Sequence, residues 1–149
     1  MAVGNGKKDS IPGHNKAELY SHSTSSWKTK ASYPFYTVIR AYEILAHSNS
    51  FFLFSGLYTD GQTYIIAKFN PASDQWTEIG NLQQSRRGFS IIAMGTKFIV
   101  MGGYSGDMHT EVCELKNEFI KCTSRKPTLK DFVYYPALMT VSSDYADNC

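Results

Sequence analysis

An internal repeat constrains this chain more than any other feature of its sequence. Two stretches superpose without a gap, Arg40 to Gly56 and Arg87 to Gly103, each placing an arginine sixteen residues ahead of a glycine. The offset between them is 47 residues, Arg40 to Arg87. A period in this range marks stacked supersecondary units, none of which can bury its apolar face alone. Beyond the glycines the copies still agree. Tyr20 lies seven residues before Trp27, Phe69 lies seven before Trp76, and Leu115 lies seven before Cys122, where the tryptophan is replaced.

Within each copy the apolar residues come in short runs separated by turn residues. Residues 89–93 and 97–101 flank Met94-Gly95-Thr96 and read as a hairpin, with 42–46 and 51–55 as their counterparts. A third strand is expected at 63–69 and 110–115, and a fourth around Trp76 and Phe119. Asn70-Pro71-Ala72-Ser73 between the last two is turn chemistry. Nothing carries a sustained 3.6-residue apolar stripe, so the chain should be all-β with almost no helix. Aromatic residues at 14% fit that reading.

A four-stranded unit of this length resembles a kelch blade. The residues that carry the resemblance are Gly102-Gly103 closing a hydrophobic strand, Phe69 on the third strand and Trp76 on the fourth. The resemblance implies an all-β propeller of four-stranded antiparallel sheets, incomplete as a single chain, that binds other proteins. The departures are Ser55-Gly56 in place of two glycines and Cys122 in place of a tryptophan. The expected division runs from three strands of a blade in 1–35 through complete blades at 36–82 and 83–131. Residues 132–149 would then give the first strand of a further blade, or a strand that closes the first one. Three blades should not close a ring, since propellers run from about four to eight. The expectation is a piece of a longer product, or one half of a ring made by two copies.

The repeat also sorts the candidate residues. Gly56, Gly102 and Gly103 are expected to serve backbone conformation where a strand leaves the sheet. Tyr20, Phe69, Trp27 and Trp76 are expected to pack between neighbouring units. Arg40 and Arg87 precede the innermost strands, with Arg86 beside the second. They are expected either to bond turn carbonyls or to engage a partner's carboxylates in a bidentate contact. Tyr58 and Tyr104 occupy equivalent places after the glycines, and with His109 they would present a contact surface on loops.

No catalytic, cofactor or metal site is expected. The four histidines share no ligand spacing, and no nucleophile or phosphate-loop motif occurs. Fifteen Lys and Arg against thirteen Asp and Glu give a net charge of +2 without a basic stripe, which argues against nucleic acid as partner. No run of eighteen apolar residues is present to cross a membrane as a helix. The expected partner is therefore a protein, an acidic segment in particular. The alternatives are a purely structural piece or part of a propeller enzyme. With no secretory segment at the start given, a cytoplasmic setting is expected. Cys113 and Cys122 fall on neighbouring strands and are read as buried thiols, with a disulfide as the alternative.

Overall fold

Strand-forming sequence dominates the protein as it folds. The computed structural model describes residues 1–4, 16–33, 42–54, 64–104 and 110–125. Eleven strands and no helix occupy them. The first unit is a three-stranded sheet of β1 (Ala2–Gly4), β2 (Lys16–Ser21) and β3 (Ser26–Lys30), in that order. The second unit is the meander β4 (Glu43–His47), β5 (Ser50–Phe54), β6 (Ile65–Asn70) and β7 (Gln75–Asn81). The third repeats it as β8 (Arg87–Met94), β9 (Lys97–Tyr104), β10 (Thr110–Lys116) and β11 (Phe119–Arg125).

Each meander is antiparallel throughout. The two join through a parallel contact of β7 with β11, Ile120 opposite Gly80 and Lys121 opposite Asn81, into one eight-stranded sheet. At the far edges β4 lies against β8, so the sheet nearly closes on itself. The parallel seam is tight at Gly80. A Cβ there would stand 2.2 Å from the Ile120 carbonyl oxygen, so no other residue fits without moving backbone.

The turns follow local chemistry. Ser48-Asn49 and Asn117-Glu118 are two-residue connections with positive φ at both positions, the twist that right-handed strands require. The β6–β7 connection is longer, and the Asn70 side chain accepts the Ala72 amide at 2.9 Å to hold it.

Period-two alternation then builds the core. Phe52, Phe54, Ile66 and Ile79 of the second unit meet Phe89, Phe98, Val100, Cys113, Ile120 and Cys122 of the third, all buried in one cluster. Leu53 and Ala67 point to the opposite side of the second unit, where Tyr33, on the segment after β3, covers them. The units are thus stacked in the same sense. Val100 corresponds to Leu53 by the 47-residue offset, and both face the preceding unit. Phe52 faces the following one.

The segments leaving each unit repeat this logic. After β3, Tyr33 packs edge-on against Trp76 at 5.1 Å, and Trp76 Nε1 donates to the Ala31 carbonyl at 2.9 Å. After β7, Leu82 enters the cluster that contains Cys122. Each seam also carries a lysine reaching an acidic turn residue of the next unit, Lys30 to Asp74 and Lys68 to Glu118.

The seven-residue spacing has two structural outcomes, and one expectation changes. The pairs Tyr20–Trp27 and Phe69–Trp76 lie directly opposite each other, but Leu115 does not face Cys122. It pairs with Ile120, because the third unit's hairpin turns in two residues rather than four. Cys113 stands opposite Cys122, with both side chains on the buried face, and the two are joined as a disulfide rather than held as thiols.

Candidate functional site

The sequence points to arginines at the start of the inner strands, and the third unit shows how two adjacent ones divide. Arg86 lies just before β8 and is 1% exposed. Its Nη2 donates to Glu111 Oε1 at 2.8 Å, and its Nη1 donates to the Gly102 carbonyl at 3.2 Å. Glu111 is 0% exposed, and its other oxygen accepts the Gln83 amide at 2.7 Å. One carboxylate therefore ties the segment between the second and third units to β10. Burial pulls the Arg86 pKa down, against the opposing pull of Glu111. The Arg86 Nε is buried with no hydrogen-bond partner among the described residues. Desolvating both charges offsets much of their attraction, so a buried pair of this kind adds little net stability over an apolar pair.

Arg87, one residue on, turns the other way. It is exposed, opens β8, and pairs through its backbone with Tyr104, the last residue of β9. Two of the expected contact residues therefore end adjacent strands at one edge of the sheet. Gly103 lets that edge form. Its φ is +82°, and a Cβ would lie 2.8 Å from the Arg87 carbonyl oxygen. Gly102, at φ +73°, completes the pair.

Arg40, Tyr58, His109 and Gly56 lie outside the described residues, as do the expected strand within 132–149 and the loops beside these positions. Of Tyr104 only the backbone is described. Phe69 is fully buried against Trp76, with ring centroids 5.0 Å apart, while Trp27 is 55% exposed beside Tyr20 at 5.3 Å.

Other groupings contribute less. Glu111, Cys113 and Cys122 cluster tightly enough to suggest metal ligands. Their sulfurs are bonded to each other, and each carboxylate oxygen accepts a hydrogen bond, so the donors are already engaged. An open cleft lies at the β4–β5 turn, between Leu19 of the first unit and His47, Asn49, Phe51 and Pro71 of the second. It sits at the hairpin end of the strands, opposite to the end that Arg87 occupies in its own unit.

Glu111 is the residue that sequence reading missed. Thr110-Glu111-Val112-Cys113-Glu114-Leu115 alternates in a way that allows either set inward. The available signal was the arginine doublet, since a buried arginine needs an acid. Compared with models of known protein families, the chain matches none.

Proposed function

We propose that this chain is a kelch-like propeller scaffold without catalytic activity of its own, and that it binds a protein partner at the edge formed by Arg87 and Tyr104. The observation that carries this reading is where Arg87 stands. The contacts of Arg86 with Glu111 and Gly102 fix the strand start, and Arg87, itself already engaged in an interaction, is the exposed first residue of that strand and shares its edge with Tyr104. An exposed guanidinium at a strand start, beside a tyrosine position, suits a carboxylate-bearing segment. The same-sense stacking of two four-stranded meanders, and the segment from each unit running onto the next, support the propeller reading. The Cys113–Cys122 disulfide favours an oxidising compartment over a reducing one.

The test is fluorescence anisotropy with labelled peptides, one set rich in Asp and Glu and a matched neutral set. Acidic peptides should bind, and Arg87→Glu should weaken them at least about tenfold, roughly 1.4 kcal/mol, with thermal unfolding unchanged. Equal binding of the two sets, or wild-type affinity in the variant, would overturn the proposal.

A further inference from the structure

The third unit departs from the repeat at three places that fall together. Where the second unit has Ala67, Phe69 and Trp76, the third has Glu111, Cys113 and Cys122. Two rings and a methyl group have become two sulfurs and a carboxylate, all buried. The Sγ atoms of both cysteines and a carboxylate oxygen of Glu111 lie within 4.8 Å of one another.

The sulfurs are engaged only while the disulfide is intact. A dithiol opens that bond by exchange. The dithiol's two sulfurs become bonded to each other, and Cys113 and Cys122 each end as a thiol with one proton. Their placement does not depend on the bond. Seven facing residue pairs hold β10 against β11, so the two cysteines stay opposite each other. Glu111 stays two residues before Cys113, on the same side of the strand.

We propose that the reduced chain binds a zinc ion between Cys113, Cys122 and Glu111. Two thiolates and a carboxylate are ligands that zinc accepts, with sulfur at about 2.3 Å and oxygen at about 2.0–2.2 Å. Around a tetrahedral ion those lengths set neighbouring donors about 3.4–3.8 Å apart. The three donor atoms already gather within a comparable span, once the sulfurs are free to separate. Binding displaces the two thiol protons to solvent.

Charge and second-shell contacts fit the ion. Two thiolates and one carboxylate carry three negative charges, which zinc and the Arg86 guanidinium together neutralise. That balance matters because the site is buried. Arg86 Nη2 and the Gln83 amide each donate to one oxygen of Glu111. Each oxygen keeps a second lone pair, so these bonds orient the ligand rather than compete with the metal. Three protein donors leave a fourth tetrahedral position for water. The same guanidinium has a buried Nε without a partner among the described residues, a donor that such a water can satisfy. The site does not involve the Arg87 edge, and the inference stands without it.

Cobalt(II) tests it, because thiolate ligands give that ion a charge-transfer absorption that water and carboxylates do not. The sample is the full chain with Cys149→Ser, which removes the third thiol. It is reduced in denaturant by a phosphine, which passes two electrons to the disulfide and takes oxygen from water, and is refolded without air. Cobalt should give the thiolate absorption, saturating at one ion per chain, and zinc should abolish it. The oxidised chain, and a Cys113→Ala variant, should show none. Glu111→Gln keeps an acceptor for Arg86 and should weaken binding at least about tenfold, as the loss of even an outer partner does. X-ray absorption at the zinc edge needs no further variant, and should find two sulfurs with oxygen completing the shell. Absence of the thiolate absorption, saturation at one ion per two chains, or any other number of sulfurs would overturn the inference. So would unchanged binding in either Cys113→Ala or Glu111→Gln.

Discussion

Cys113 and Cys122 are bonded to each other at the register position that Phe69 and Trp76 hold in the preceding unit. Phe51 opposes Phe69, and its counterpart Phe98 opposes Cys113, so the equivalence follows from the ladder itself. A tilted pair of packed rings in one unit is a covalent link in the next.

That exchange has a measurable consequence. The disulfide closes a loop with a sequence separation of 9, for which the chain-entropy model gives about 2–3 kcal/mol. Cys113→Ala with Cys122→Ala should lower stability by about that amount. Their bonded sulfurs carry no thiol, so alkylation of the folded chain should spare both. In denaturant without reductant, mass spectrometry should find one modified cysteine, Cys149, and after reduction all three.

The Arg86–Glu111 pair yields a second prediction. Arg86→Met leaves a carboxylate buried without its cation, which costs about 3–5 kcal/mol. Replacing both, as Arg86→Met with Glu111→Leu, removes the uncompensated charge and should recover most of the loss. Recovery will be incomplete, because the Gln83 amide and the Gly102 carbonyl lose their partners. A double-mutant cycle from urea unfolding checks this. Additive losses would show that the two groups do not act as a pair.

Much of this was legible because repetition averages out local ambiguity. Two copies of an arginine-to-glycine frame located the inner hairpins, 42–46 with 51–55 and 89–93 with 97–101, close to where the strands lie. The register of the third hairpin was left open because spacing alone cannot reveal a change of turn. Asn117-Glu118 shortens the connection by two residues, which moves the partner of Cys122 from Leu115 to Cys113. The Arg86–Glu111 pair was hidden for a different reason. It has no counterpart in the second unit, where Ala67 stands at the Glu111 position, so the repeat could not point to it. Gly80 was invisible because its constraint comes from a neighbouring strand 40 residues along the chain, at Ile120.

Glu43, at the start of β4, gives a pH-dependent prediction. Burial raises its pKa above the ordinary glutamate value. A carboxyl raised in the fold relative to the unfolded chain favours folding while protonated, and that advantage is lost as pH rises through the folded pKa. Glu43→Gln should therefore raise the melting temperature at pH 7 and have little effect below about pH 4, near the unfolded value. A gain of equal size at both pH values would assign the effect to packing rather than charge.

The two tryptophans provide the sharpest contrast within one experiment. Trp76 donates its indole N–H to the Ala31 carbonyl and packs against Tyr33, both across the first seam. Trp76→Phe keeps a ring opposite Phe69 but removes that donor and strands the carbonyl, a loss of about 1 kcal/mol. Trp27 holds the same place in its own hairpin, yet more than half of it faces solvent. Trp27→Phe should fall within about 0.5 kcal/mol of the wild type, as surface substitutions do. Thermal melting of both variants at one protein concentration compares them directly. Equal losses would mean that the tryptophan stabilises its own hairpin through the ring opposite it. Unequal losses in the stated order would mean that it stabilises the seam, through the segment that the preceding unit lays across it.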